Sequence, residues 1–294
     1  MGEASAAASP PLTVAQAVRE AAEQLGPAST TARLDAELLM AAALGVSRST
    51  LLLRHMRDSA PQRFAALMAR RLADEPVAYI LGVAEFHGLE LEVTPAVLIP
   101  RGDSETAIEA ARMYFSARAP ARMLDCGTGS GALLLAALGL FPQAVGIGID
   151  RSAEALAVAA RNAGRLGMQG RAAFHLRDWD RPGWSEDLGG PFDLILANPP
   201  YVENDAPLEA AVRDHEPHGA LFAGPEGLDA YRVLVPQLPA LLAPGGVAVV
   251  EIGHRQAEPV GAIGAAAGLA AHLHRDLAGR PRVLVFSAGK SGAV

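Results

Sequence analysis

From about Ser104 to the C-terminus, short apolar runs alternate with stretches of helical periodicity, and this alternation narrows the possible folds more than any other feature of the sequence. Strand-like runs fall at Arg122–Asp125, Val145–Asp150, Ala172–Leu176, Phe192–Ala197, Val247–Ile252, Leu269–His274 and Arg282–Ser287. Helical segments separate most of them. Parallel neighbours need connections of that length, so the pattern predicts a mostly parallel sheet with helices on both faces. Only a turn at Gly279-Arg280-Pro281 joins the last two runs. It is too short for a crossover helix, so those strands should pair antiparallel. The expected class is α/β, a Rossmann-like sheet of seven strands.

The chain before this region reads differently. Residues 1–11 are small and polar and read as a disordered leader. Residues 12–82 read as a small helical bundle. Leu12, Val14, Ala17, Val18, Ala21 and Leu25 fall mostly on one helical face, and Gly26-Pro27 breaks that helix. Thr30 or Thr31 is placed to cap a second helix, which Gly45 ends. Ser47 opens a short helix through Leu53, and Pro61 opens another to about Ala73. In residues 83–103, Phe86, Leu89, Leu91, Val93 and Val97 to Ile99 read as strands around Gly88, a hairpin linking the bundle to residues 104–294.

Composition excludes several classes. Half of the 294 residues are hydrophobic and 19% charged, which excludes an intrinsically disordered chain. One cysteine excludes a disulfide framework and a Cys-rich zinc module. His215-x-x-His218 and His272-x-His274 lack a matching third ligand, so no metal site is expected. A net charge of −7 argues against a protein that grips nucleic acid over many phosphates. No apolar run approaches the roughly 18 residues of a membrane span, and Met1–Pro11 does not resemble a secretory signal, so a cytoplasmic location is expected.

Two motifs carry the chemistry. The first is Asp125-Cys126-Gly127-Thr128-Gly129-Ser130-Gly131, which follows the first strand of the sheet and opens a helix. Glycines there allow a tight turn and close approach of a ligand. Gly127, Gly129 and Ala132 satisfy a loose dinucleotide fingerprint, and the same loop is typical of S-adenosylmethionine enzymes. Asp150, ending the next strand, can accept from ribose hydroxyls of either ligand. Asp125 favours S-adenosylmethionine, because a carboxylate at the loop would repel a pyrophosphate and attract a cationic amino group. Cys126 reads as a small buried residue beneath the loop.

The second motif is Asn198-Pro199-Pro200-Tyr201, at the carboxyl end of an apolar strand. The prolines stiffen the backbone and remove N–H donors. What remains is a hook rich in acceptors, the Asn198 side-chain oxygen and the Pro199 carbonyl, beside the flat face of Tyr201. Such a hook suits an NH₂ group on a planar carbon, because it can hold both N–H bonds and aim the nitrogen lone pair.

Together, Asp125–Gly131, Asp150 and Asn198–Tyr201 resemble class I S-adenosylmethionine-dependent methyltransferases acting on amino groups of planar carbons. Further segments are similar to the PrmC/HemK family: Arg33–Leu39, Glu75–Gly82, Glu85-Phe86, Val97–Arg101, Glu216-Pro217, Glu226–Asp229 and Glu251–Gly253. The resemblance spans about residues 12–287. It implies an enzyme that methylates the glutamine of the Gly-Gly-Gln motif in class 1 peptide chain release factors, with no direct binding of nucleic acid and no membrane. Position alone suggests a substrate-recognising role for residues 12–82, ahead of a catalytic domain at 104–294. By the same resemblance, Gly127, Thr128, Gly129, Ser130, Gly131, Asp150 and Asn198 would hold the cofactor. Asp178 and Trp179 would meet its adenine. Asn198, Pro199, Pro200 and Tyr201 would bind the substrate amide. The family's Arg-Pro-(Glu/Asp)-Thr-Glu run stands here as Arg101-Gly102-Asp103-Ser104-Glu105, which keeps the hydroxyl and loosens the backbone. An adenine-amine DNA methyltransferase shares the hook but would need a basic region to take a flipped base, and a glutamine methyltransferase of another translation protein is a further alternative.

Overall fold

The computed structural model describes residues 12–26 and 29–289. The expected leader, and Pro27 of the expected helix break, lie outside the described residues. The chain divides into two compact units between Gly82 and Val83.

The first unit is helical. Its helices are Val14–Leu25, Ala32–Leu44, Arg48–Thr50 continued by a widened turn Leu51–His55, Arg63–Leu72 and Val77–Leu81. Thr13 and Gln16 form a reciprocal cap at the first helix. Thr31 precedes the second helix but caps no backbone amide; its hydroxyl is committed to Asp35 Oδ1 at 2.9 Å. Gly45 closes that helix in the left-handed conformation that only glycine adopts freely. Val14, Val18, Leu39, Met40, Leu51, Phe64 and Met68 fill the core. Asp35 and Glu37 are not surface acids: Asp35 pairs with Arg71 at 2.9 Å, and Glu37 holds Arg33 and Arg48.

The second unit begins with the hairpin β1 (Val83–Phe86) and β2 (Leu89–Glu92), which are antiparallel. His87 and Gly88 both have positive φ, as a two-residue hairpin turn requires. The expectation of strands at Val93 and Val97–Ile99 is not met. Val97 closes a turn on Thr94, and the Ile99 N–H donates to the Glu216 carboxylate at 3.2 Å instead of to a strand neighbour.

A seven-stranded sheet follows: β3 (Arg122–Cys126), β4 (Val145–Asp150), β5 (Ala172–Leu176), β6 (Phe192–Ala197), β7 (Leu242–Glu251), β8 (Leu269–Arg275) and β9 (Pro281–Ala288). Their order in space is β5-β4-β3-β6-β7-β9-β8. The first five in this order are parallel, and β9 is antiparallel to both β7 and β8. Alternate side chains feed two cores. Met123, Leu194, Leu196, Val247 and Val249 pack with the helices Glu105–Tyr114 and Ala132–Leu140. Leu124, Cys126, Ile195, Ala197, Ala248 and Val250 pack with Tyr231, Leu234, Leu238 and Val260. No single helix among the described residues is long and apolar enough to cross a membrane.

Candidate active site

The chain reverses direction across the sheet at β3: β4 and β5 lie on one side of it, β6 and β7 on the other. Ligand crevices form at such switch points, beyond the carboxyl ends of the strands. Cys126 of β3 pairs with Ala197 of β6. The loop that continues from Cys126 and the hook that continues from Ala197 therefore emerge side by side, although 72 residues separate Cys126 from Asn198.

A cavity of about 660 Å³ opens there. Gly127, Thr128, Gly129, Ser130, Asp150, Asp178, Trp179, Asn198 and Pro200 line it. Gly127 and Gly129 both have positive φ, and the Gly127 and Thr128 amides donate to the Ile149 carbonyl at the end of β4. The Gly129 amide donates to Asp150 Oδ2 at 3.0 Å, and the Ser152 amide to Asp150 Oδ1 at 2.9 Å. Burial pushes the Asp150 carboxyl up from its ordinary value, and these two amides oppose the rise. Gly131 is outside the cavity wall; a Cβ there would meet Leu135 and Ala159, so this glycine serves helix packing.

Asp125 also stands behind the wall. Its side chain is buried, with Oδ2 accepting from the Thr128 hydroxyl at 2.6 Å and Oδ1 without a hydrogen-bond partner. Burial pushes its carboxyl up to about 7. Cys126 is fully buried, and burial raises its thiol. Trp179 lies against the loop: a Cβ on Gly127 would sit 3.0 Å from its ring. Asp178 accepts from the Asp180 amide at 3.1 Å.

In the hook, Asn198 Nδ2 donates to Ser104 Oγ at 3.4 Å. Pro199 is buried behind Pro200 in the chain and does not line the cavity. Tyr201 does not line it either. Its ring packs against the apolar cluster of Val250 and Ile252, and its hydroxyl donates to Glu251 Oε1 at 3.4 Å. Burial, with the nearby Glu251 charge, pushes the Tyr201 phenol up to about 12.

Several residues at the site had no assigned role in the sequence reading. Arg151 lines the cavity and donates to the Gly219 carbonyl at 3.0 Å. Glu216 is buried and holds both the Ile99 amide and the Arg101 guanidinium. Glu251 is buried at the end of β7, beside Ser104, Tyr201 and Arg282. The one local signal for Glu251 is an acid closing an apolar strand. Among the described residues no three His, Cys, Asp or Glu side chains converge as a metal ion would need.

The residues present fit S-adenosylmethionine. Gly129, left-handed and with nothing near an added Cβ, leaves room for a ligand against the backbone, and Asp150 offers acceptors beside the loop within the cavity that Trp179 also lines.

Comparison with known proteins agrees with this geometry. Residues 16–82 match the PrmC N-terminal domain family, and residues 118–263 match a methyltransferase domain family. The chain is 43% identical over 263 residues to a release factor glutamine methyltransferase of Bradyrhizobium diazoefficiens, covering 86% of this chain and 87% of that protein. A protein of the same name from Cereibacter sphaeroides is 41% identical, with 93% and 98% covered. A solved methyltransferase structure from Pyrococcus furiosus shares the fold at a TM-score of 0.50 and 19% identity, covering 76% of this chain and 99% of that one.

Proposed function

The chain belongs to the release factor glutamine methyltransferase family, and from that premise we propose that it transfers a methyl group from S-adenosylmethionine to the side-chain amide nitrogen of the glutamine in the Gly-Gly-Gln motif of class 1 peptide chain release factors. The observation that carries this reading is the pairing of Cys126 with Ala197, which sets an acceptor hook for a planar NH₂ group beside a loop suited to the cofactor.

Bound at the loop, the cofactor supplies a methyl group on a cationic sulfur. The chain's own residues do the rest. Gly127, Thr128, Gly129 and Ser130 shape the cradle, Gly131 packs the helix behind it, Asp125 braces the loop through the Thr128 hydroxyl, Asp150 takes the ribose hydroxyls, and Asp178 and Trp179 hold the base. Asn198 Oδ1 and the Pro199 carbonyl accept the two N–H bonds of the glutamine amide. That costs the nitrogen some of its conjugation and directs its lone pair at the methyl carbon. Pro200 walls the site, and Tyr201 supports the hook from behind through Glu251. No strong base is needed beforehand, because methylation makes the nitrogen acidic enough to shed its proton. The apolar walls exclude water, which favours a step in which charge disperses. The helical residues 12–82 recognise the protein substrate.

The experiment is mass spectrometry of a class 1 release factor incubated with this protein and S-adenosylmethionine. One added methyl group on the Gly-Gly-Gln glutamine is the expected result. No added methyl, with cofactor binding intact by calorimetry, would overturn the assigned substrate.

A further inference from the structure

The side-chain amide of Gln256 is held by backbone groups of three separate segments. Its Oε1 accepts from the Gly253 amide at 2.9 Å. Its Nε2 donates to the Tyr201 carbonyl at 3.1 Å and to the Gly227 carbonyl at 3.0 Å. A backbone N–H only donates and a carbonyl only accepts, so these partners allow one orientation of the amide. Turned over, it would set donor against donor at Gly253 and acceptor against acceptor at Tyr201 and Gly227.

The surrounding chain is shaped to admit this amide. A Cβ on Gly253 would lie 2.8 Å from Gln256 Oε1. A Cβ on Gly227 would lie 2.8 Å from Nε2 and would overlap the Tyr201 carbonyl, and Gly227 has φ +66°. Gln256 itself stands at the N-cap of the helix Ala257–Ala266, where Ser, Thr, Asp or Asn would be favoured. Its side chain caps no amide of that helix.

The Tyr201 carbonyl is the exit of the hook. Pro199 and Pro200 have no N–H with which to fasten the segment, so fastening falls to Tyr201 and Val202. The Tyr201 amide donates to the Leu221 carbonyl at 3.1 Å, and the Val202 amide donates to the same carbonyl at 2.8 Å. The Tyr201 carbonyl goes to Gln256. Through Gly227 the same Nε2 also holds the turn between Gly224 and Asp229, both of which line the cavity. Gln256 does not line the cavity.

We propose that Gln256 is a positioning residue for methyl transfer: it braces the Tyr201 carbonyl and so fixes the hook at the angle from which Asn198 and the Pro199 carbonyl hold the reacting amide. This role rests on the reading of those two groups as the amide acceptors. It also gives Gly227 and Gly253 a shared reason to be glycine.

The test uses the full chain and a class 1 release factor, with wild type, Gln256→Glu and Gln256→Met. Wild type is assayed first. An inactive wild type overturns the functional reading and the brace with it; with an active wild type, the variants judge the brace alone. Gln256→Glu keeps the shape and the acceptor for Gly253 but turns an oxygen on the two carbonyls. Gln256→Met keeps the length and loses all three bonds. Both should melt lower, because they leave part-buried backbone groups unpaired. The deciding readout is kcat per folded enzyme, with folded molecules counted by the stoichiometry of S-adenosylmethionine binding in calorimetry. It should fall roughly 10–100-fold in Gln256→Glu, the scale of a displaced reacting group, and should fall in Gln256→Met as well. KM for the release factor and the affinity for S-adenosylmethionine should hold, the pattern of an interaction lost only in the transition state. Should Gln256→Glu fail to fold, Gln256→Met decides by the same readings. A lower melting temperature with wild-type kcat per folded enzyme would overturn the role and leave Gln256 a purely structural residue. So would a kcat and a cofactor affinity that fall in proportion, or the failure of both variants to fold.

Discussion

The Asn162 side chain grips Glu92 by both of its backbone groups: the Glu92 amide donates to Asn162 Oδ1 at 2.7 Å, and Asn162 Nδ2 donates to the Glu92 carbonyl at 3.0 Å. The same Nδ2 donates to the Ser130 carbonyl at 2.9 Å. Asn162 is fully buried in the helix Ala153–Arg165. One side chain thus ties the end of the β1–β2 hairpin to the glycine loop. Asn162→Ala leaves partly buried backbone groups unsatisfied and should cost about 3 kcal/mol, a fall of roughly 6–12 °C in melting temperature for a chain of this size. Asn162→Asp loses the donor and should also destabilise. Thermal denaturation of the two variants checks this, and a loss confined to cofactor binding would count against the tie.

Gly127 meets Trp179 too closely to carry a side chain. Its φ is +74°, and an added Cβ would lie 3.0 and 3.2 Å from two atoms of the indole ring. Gly127→Ala should weaken S-adenosylmethionine binding roughly tenfold or more, from backbone strain and displacement of the ring. Adding Trp179→Ala removes the clash but not the strained φ, so affinity should not return. Calorimetry on both variants reads the difference.

The buried acids Asp125 and Glu251 should make the ligand-free protein more stable at mildly acid pH. Both carboxyls are pushed up to about 7, from ordinary values of 3.8 and 4.5. Between those values the folded chain keeps protons that the unfolded chain gives up. Their contribution is therefore fully present below the ordinary values and is lost as pH rises through about 7. Melting temperature should rise from pH 8 to pH 5.5, and Asp125→Asn should flatten that slope. An unchanged slope would mean that Asp125 is ionised throughout.

Gly102 stands where the resemblance leads one to expect a proline. It occupies the first position of the short helical turn Gly102–Ser104; Arg101 before it is extended, at φ −107° and ψ 143°. Both conformations suit a proline at 102. No atom lies within 4 Å of an added Cβ. Gly102→Pro should stabilise the protein by about 0.4–1 kcal/mol through the unfolded chain. The segment is already anchored by Arg101 on Glu216, Asp103 on Arg282 and the His87 amide on Glu105. Destabilisation on melting would show a hidden conflict at that position.

Much of this site is legible in the sequence because it is made of local patterns. All seven strands of the sheet overlap the apolar runs, β7 beginning at Leu242, five residues earlier than its run, since alternation and turn residues act over a few positions. The glycine loop and the hook are stiff or open because of their own residues. Which way a strand-end side chain points is not a local property. Asp125 and Tyr201, both expected at the ligand, stand behind the cavity wall, because the pleat and the packing on each face of the sheet set their direction. Val97–Ile99 read as strand on apolar character alone, yet the Glu216 carboxylate takes the Ile99 amide that a strand neighbour would need.

The order of elements, the left-handed turns at Gly127 and Gly129 and the rigidity of Asn198–Tyr201 were determined by the sequence itself, because each depends on residues within one turn or one strand. Only the tertiary structure decided that β3 lies between β4 and β6, and that β7 lies between β6 and β9. Those adjacencies bring the ends of β3, β6 and β7 together, so that the glycine loop, Asn198 and Glu251 meet at one end of the sheet although Cys126 and Glu251 are 125 positions apart. Strand order is settled by burying both faces of the sheet at once, a requirement of the whole chain that no local window contains.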